Sequence, residues 1–241
     1  MGNGTNSSKS SIFIKLGVLA GLIIETLAKI FNESQIDYWI QNKDQLKKKL
    51  NEVFSIVDEY FLEREDWQKF YKDHFNWDVD FSQVIIPVKP ELGNWRLIFI
   101  AKGMTMNFAF EKASKLFSTW RYNDDLDKAI PNNVRNTQNS YAVWVKDGVE
   151  PDSEFLGQST KKADPDMKKG ITVLEGIILE MKYFLETGNH LNIKGVTFCS
   201  GSRNSDGDVP GVYWGGGKFK VDWYSLDGSY SGCGVRLAVS L

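Results

Sequence analysis

The stretch over residues 209–224 constrains this chain more than any other. Lys218-Phe-Lys-Val-Asp-Trp-Tyr224 sets Phe219, Val221 and Trp223 in strict alternation with Lys218, Lys220, Asp222 and Tyr224. A period of two sends one set to a core and the other to solvent, which marks a half-buried strand. The same alternation in Val209-Pro-Gly-Val-Tyr-Trp214 puts Val212 and Trp214 on the buried side and Gly211 and Tyr213 on the other. Gly215-Gly-Gly217 between the two runs predicts a hairpin. The two outward sets are then neighbours on one sheet. They continue into residues 225–233, which are rich in Gly, Ser, Asp and Tyr and have no hydrophobic period, and residues 235–241 predict a final strand.

Upstream, the period changes. Leu16, Leu19, Ile23, Leu27, Ile30 and Phe31 recur at spacings of three and four, as on one face of a helix. Asn42 and Gln45 resemble a capping pair for a second helix carrying Leu46, Leu50, Val53, Phe54, Val57 and Phe61, with Lys47, Lys48, Lys49 and Glu52 outward. Trp67, Phe70, Tyr71, Phe75, Trp77 and Phe81 form an aromatic stretch that reads as packing between parts rather than a cofactor box. Pro87 and Pro90 interrupt helix and ladder alike, so the domain boundary is expected there, with a helical region over 1–90 and a second domain over 91–241. In that domain, residues 95–101 and 141–145 predict strands. Phe108, Phe110, Ala113, Leu116, Phe117 and Trp120 return to helical spacing. Residues 171–185 predict a helix with Ile177, Ile178 and Met181 inward, ended by Gly188.

Composition excludes several function classes. The 29 basic and 31 acidic residues leave no positive excess to neutralise phosphates, so no nucleic acid partner is expected. Cys199 and Cys233 are too few for a disulfide scaffold and too far apart in sequence for a zinc pair; they read as two free buried thiols, with one bond between them the alternative. The apolar run over 16–24 is shorter than the roughly 20 residues that cross a bilayer, and no small-residue cleavage site follows it. Neither a membrane span nor a secretory signal is expected, and the cytoplasm is the expected compartment, with the cell surface or a virion as alternatives. His74 and His190 lie in no nucleophile motif, so no catalytic residue and no cofactor are expected, and His190 reads as structural. Asn204, Asp206 and Asp208 around Gly207 are explained by turn chemistry, so no metal is expected.

Tyrosine, serine, glycine and aspartate are what recognition surfaces favour, because tyrosine supplies contact area at low entropy cost and the small residues supply adaptable hydrogen bonds. The plainer reading is the wet face of an antiparallel sheet. Ser-Arg-Asn-Ser-Asp-Gly-Asp-Val-Pro-Gly-Val-Tyr-Trp (202–214) and the tail Val-Arg-Leu-Ala-Val-Ser-Leu resemble the C-terminal variable region of diversity-generating retroelement target proteins. Asn139-Ser-Tyr-Ala-Val-Trp-Val-Lys-Asp and Glu180-Met-Lys-Tyr-Phe-Leu-Glu-Thr-Gly add to the likeness, which runs over roughly residues 90–241. The resemblance implies an α+β, C-type-lectin-like fold, with two helices around a small, mostly antiparallel twisted sheet, preceded here by the helical region. It implies a variable region over about 197–241, rewritten by copying a template with errors at adenines, and binding of a protein or glycan target without catalysis.

The variable face would then be Gly211, Tyr213, Gly215, Gly216, Lys220, Asp222, Tyr224, Leu226, Asp227, Tyr230 and Ser231, held by a scaffold of Val212, Trp214, Phe219, Val221, Trp223 and Arg236. Lys220 departs from the pattern, since adenine mutagenesis of AAC or AAT codons does not reach lysine. Cys233 and Gly234 stand where related sequences carry Leu and Arg. Two rival readings share the fold: an enzyme of the formylglycine-generating type, which needs a close pair of cysteines, and an invariant lectin-like or phage receptor-binding protein. The ligand and the oligomeric state are not written in the sequence.

Overall fold

The alternation over 209–224 folds as a hairpin. In a computed structural model that describes residues 6–54 and 60–241, with side chains described over 18–49 and from residue 60 onward, β7 (Val209–Gly215) and β8 (Lys218–Tyr224) pair antiparallel. Gly216 and Gly217 join them at φ 62° and 72°. Positive φ at both central residues is the type I′ geometry, whose twist matches that of the flanking strands and which a side chain would strain.

Two units are present, residues 1–59 and 60–241. The first holds α1 (Asn6–Ile30), α2 (Glu33–Gln41) and α3 (Lys43–Phe54). The polar break expected between two helices therefore contains a third. Asn32 and Gln35 form its reciprocal capping box, each side chain accepting the other's backbone N–H at 3.0 Å. The second expected helix stops short of its predicted end: Val57 lies outside the described residues, and Phe61 opens a separate helix, α4 (Phe61–Phe75).

The domain boundary also differs from the expectation at Pro90. Helix α4 belongs to the second unit because its aromatic residues are sewn into that core: the Trp67 indole N–H donates to the Leu97 carbonyl at 3.2 Å, and the Tyr71 hydroxyl donates to the Phe99 carbonyl at 2.9 Å. From the other side, the Trp144 indole donates to the Pro87 carbonyl at 2.9 Å. Rings this large, buried with their polar atoms satisfied, outweigh the local punctuation of two prolines.

After α4 come β1 (Trp95–Ile100), α5 (Met106–Leu116), β2 (Thr119–Arg121), α6 (Leu126–Ala129), β3 (Asn132–Asn133), β4 (Tyr141–Lys146), α7 (Thr160–Ala163) and α8 (Val173–Thr187). Then β5 (Val196–Phe198) and β6 (Ser202–Arg203) precede the hairpin, and β9 (Cys233–Val235) and β10 (Ala238–Val239) follow it, splitting the single final strand expected over 235–241. The architecture is mixed α+β. Among the described residues three sheets form, in the orders β1-β4-β10, β2-β8-β7-β5-β9 and β3-β6, antiparallel except for the β2-β8 and β5-β9 pairs. Trp120, expected to extend a helix, lies instead on β2, because α5 ends at Leu116 and the chain becomes extended at Phe117.

Helix α8 is set by a second capping box, Thr172 with Glu175, and ends at Gly188 in the left-handed conformation. It packs against α5 and touches both β1 and β7, so one core with Ile177, Ile178, Met181, Val212, Phe219 and Val221 joins the two larger sheets.

Candidate ligand-binding face

Register decides which side chains share a face. Gly211 lies opposite Asp222, Tyr213 opposite Lys220, Val212 opposite Val221 and Trp214 opposite Phe219. Val212, Phe219 and Val221 are buried to 1 % exposure or less. Trp214 lies on their side, half-buried, with its ring stacked on His190 at a centroid distance of 3.3 Å. His190 in turn stacks on Phe184 and meets the Glu180 carboxylate through Nδ1 at 2.6 Å. Burial pushes the Glu180 carboxyl up to about 8 and holds the His190 ring below its ordinary range, so near neutrality Glu180 is protonated and hydrogen-bonded to an uncharged imidazole.

Trp223 is the exception among the scaffold residues: it points the same way as Phe219 and Val221 but is 50 % exposed. The reason lies in the neighbouring strand. β2 pairs with β8 only from Phe219 to Val221, so beyond Val221 the strand is an edge. Alternation predicts the direction of a side chain; burial needs something to cover it.

The opposite face is divided. Over β5 and β9 it is covered by a second, smaller core of Ala163, Phe198, Val209, Cys233 and Val235, with Phe155, Val196, Tyr224 and Leu226 packed on it. Tyr224 and Leu226 were both expected in solvent. Tyr224 instead lays its ring against Phe198 at 5.2 Å and over Gly211, where a Cβ would stand 2.7 Å from that ring and 2.7 Å from a Val196 methyl. Gly211 is thus the close approach that lets Tyr224 lie flat, and is itself buried.

Over β7, β8 and β2 the same face is open. The Lys220 ammonium sits 5.5 Å from the Tyr213 ring centroid and 5.8 Å from that of Trp120, an arrangement that fixes a cation between two aromatic faces. Burial first, and then the charge of Asp222, raise the Tyr213 hydroxyl above its ordinary range, and Tyr224 lies 6.0 Å from Tyr230. Burial, ahead of the charges of Asp222 and Asp206, also raises the Tyr122 hydroxyl above its ordinary range, and its ring packs against the main core. Trp120, Lys220, Tyr213, Asp222, Tyr224 and Tyr230 therefore form one continuous strip of rings with a cation and a carboxylate among them.

Not every expected residue joins this strip. Gly215 and Gly216 sit at the hairpin tip, Asp227 pairs with Lys161 at 3.1 Å on the surface, and Ser231 is exposed. Trp120 was not read from the sequence as part of the face. Its strand is three residues long and reaches the face through a parallel pairing, which no local period announces.

Arg236 is the most heavily bonded scaffold residue. At 1 % exposure its two terminal nitrogens donate to the carbonyls of Lys146, Gly148, Val149 and Glu150 and to the Asn192 Oδ1, at 2.7–3.3 Å. Asn192 also accepts the Thr197 hydroxyl at 2.6 Å through that oxygen, and its carbonyl accepts the Trp214 N–H at 3.1 Å. One guanidinium thereby ties the 146–150 loop to β5 and β7.

Cys199 and Cys233 are both free and buried, Cys199 in the main core and Cys233 in the smaller one on the other side of the sheet. The Asn204 side-chain oxygen accepts the N–H groups of Asp206 at 3.0 Å and Asp208 at 2.8 Å, so the 204–208 segment is a turn closed by its own asparagine. Among the described residues no group of three or more His, Cys, Asp or Glu side chains could hold a metal, and no helix is long and apolar enough to cross a membrane. No protein-family model, curated protein or solved structure matches this chain.

Proposed function

We propose that the second unit is a C-type-lectin-like display domain that binds a protein or glycan target through the strip running from Trp120 to Tyr230, without catalysis, and that its C-terminal region is diversified by retroelement-directed adenine mutagenesis. The observation that carries the reading is the division of labour across β7 and β8: Val212, Phe219 and Val221 fill the core while Tyr213, Lys220 and Asp222 stand on the opposite face with the rings of Trp120 and Tyr230. Tyrosine and tryptophan contribute most of the energy at protein interfaces and also stack on sugar rings, and a cation and a carboxylate within the same strip supply orientation. Replacements on that face leave the buried area untouched. Tyr224 and Leu226 are exceptions within the expected variable set, since a change at either also alters the smaller core.

The formylglycine-generating alternative is disfavoured because it needs two cysteines in reach of each other, and here the sheet lies between them. An invariant binding protein on the same fold is separated from the diversified reading by the DNA beside the gene. The diversified reading expects an imperfect copy of the 3′ end that differs almost only where the copy carries adenine, next to a reverse transcriptase gene; finding neither would remove diversification and leave a binding module. Binding itself is tested by panning the chain against glycan and protein arrays and repeating any hit with Tyr213→Ala and Trp120→Ala. Loss of the hit in both variants supports the strip, and retention in both places the binding site elsewhere.

A further inference from the structure

The outer edges of the two larger sheets are not treated alike. Backbone N–H and C=O groups on an edge strand template the pairing of another chain, and folded proteins cover or blunt them. At β1 the Leu97 carbonyl accepts the Trp67 indole N–H and the Phe99 carbonyl accepts the Tyr71 hydroxyl. At β10 the Ala238 N–H donates to the Lys169 carbonyl at 2.7 Å. At β9 the Val235 and Cys233 carbonyls accept the N–H groups of Asp152 and Gly157 at 3.1 and 2.9 Å. The remaining edge, β2, is left open.

Which of its groups face outward follows from the pairing with β8. The Ser118 carbonyl accepts the Phe219 N–H at 2.9 Å and the Tyr122 N–H donates to the Val221 carbonyl at 3.1 Å, so Ser118, Trp120 and Tyr122 are the residues whose backbone bonds toward β8. Backbone groups alternate between the two edges of a strand, which turns the N–H and C=O of Thr119 and Arg121 away from the sheet. Among the described residues these four groups have no hydrogen-bond partner. No residue from Ser118 to Asp125 is buried, so solvent reaches this edge. It borders the binding strip: Trp120, 42 % exposed, stands between the two outward-facing residues on the strip's side of the sheet. On the reverse side the Arg121 Nη1 donates to the neutral Asn107 Oδ1 at 3.0 Å, with the guanidinium 5.0 Å from the Phe110 ring. Asp125 lies near that cation without bonding to it, its Oδ1 accepting from Asn107 Nδ2 and the Lys128 N–H.

We propose that the target is a protein and that it binds through an extended peptide segment added as a further strand along β2, with an apolar side chain lying on Trp120 and the adjacent acidic side chain reaching Arg121 on the other side of the sheet. The inference rests on the binding role of the strip and narrows its ligand from protein or glycan to peptide. An extended peptide presents an outward donor and acceptor every second residue, about 6.7 Å apart, which is the repeat of Thr119 and Arg121; a sugar has no such backbone repeat. In this mode main-chain bonds supply affinity while alternate side chains supply specificity, and here the two sides of the edge differ, an aromatic ring on one and a cation without an ion pair on the other. Ser118-Thr-Trp-Arg-Tyr122 contains no proline or lysine to repel a strand, and its length admits one short segment rather than another sheet.

The test pans a phage-displayed library of random linear peptides against the full chain and resynthesises the binders that Trp120→Ala weakens. These are expected to carry an acidic residue beside an apolar one. Backbone N-methylation at alternate positions should weaken them about 10-fold or more in one phase and little in the other, and replacing the acidic residue by lysine should cost a similar factor. Thr119→Pro removes an outward N–H and none of the bonds to β8, so it should weaken the same peptides about 10-fold with an unchanged near-UV spectrum. In the free chain the Thr119 and Arg121 amides should exchange fast, and bound peptide should slow them. Peptides that need Trp120 and Tyr213 but tolerate N-methylation at every position overturn the edge pairing and leave the strip as the binding site. Binders indifferent to Trp120→Ala and Tyr213→Ala as well remove the strip itself. A library without binders, a strip that takes ligands only from the glycan array, or edge amides already protected in the free chain also overturns the proposal.

Discussion

Removing the Arg236 guanidinium should damage the fold more than any other single truncation outside the hydrophobic core. Its two terminal nitrogens serve four carbonyls and the Asn192 Oδ1, in a site only 1 % exposed. Each bond from a charged donor contributes about 1.5–3 kcal/mol, but the acceptors share one side chain and partly recover in its absence, so the contributions do not add. Removing one side of a buried charged network costs about 3–5 kcal/mol in total, the range expected for Arg236→Ala. For a unit of this size each kcal/mol lowers Tm by about 2–4 °C, giving a drop of about 6–20 °C. Arg236→Lys keeps the charge but offers one nitrogen in place of two, and should cost about half as much. Thermal melts by circular dichroism supply the magnitude. Hydrogen exchange supplies the place: the Asn192 amide, bonded to the Val149 carbonyl at 2.7 Å, and the Trp214 amide, bonded to the Asn192 carbonyl, should exchange faster in both variants. An Arg236→Ala protein within 1 kcal/mol of wild type, with those amides unchanged, would refute the idea that this side chain ties the loop to the sheet.

Three further outcomes follow from the same geometry. The Glu180 carboxyl is raised to about 8 in the fold from an ordinary 4.5, so the stability it contributes is complete below about pH 4.5 and lost as pH rises through 8; His190, lowered by burial, acts in the opposite sense only below its ordinary 6.5. Tm should therefore fall between about pH 6.5 and 8 and level off above that, and Glu180→Gln should flatten that slope; an unchanged slope would mean the carboxyl titrates normally. Phe219→Ala, at 1 % exposure, should cost about 3–5 kcal/mol, while Trp223→Ala, on the same side of the strand but half exposed, should cost clearly less; urea denaturation ranks the two, and equal costs would contradict the edge assigned to β8 beyond Val221. Gly211→Ala should cost about 1–3 kcal/mol and move the Tyr224 ring off Phe198, visible as a near-UV change; a silent substitution would mean the ring is not held there.

What could be read from the sequence was what a local period or a short apolar run encodes. The β7-β8 hairpin and helix α8 lie where a period of two and one of 3.6 put them, and strands β1 and β4 lie where short apolar runs rich in aromatic and branched residues put them. Features that depend on what covers a residue were not legible. The alternation in β8 is the same at Val221 and Trp223, yet only Val221 has β2 beside it. Tyr224 alternates outward with Lys220 and Asp222, but distant residues such as Phe155 and Ala163 fold over its end of the sheet. The boundary set at Pro90 failed for a related reason: prolines report on local backbone, whereas the bonds from Trp67 and Tyr71 to β1 span about thirty residues of sequence. Trp120 was missed because a parallel pairing leaves no short-range trace.

The central claim is that stability and recognition sit on opposite faces of β7 and β8, and a saturation scan of residues 209–231, read by protease resistance of the displayed chain, tests it most directly. Tolerance should be low at Val212, Phe219 and Val221, low also at Gly211, Gly217 and Tyr224, and high at Tyr213, Lys220, Asp222, Tyr230 and Ser231. A profile in which Tyr213, Lys220 and Asp222 tolerate no more substitutions than Phe219 and Val221 would contradict the account, because a face that holds the fold together is not free to vary what it binds.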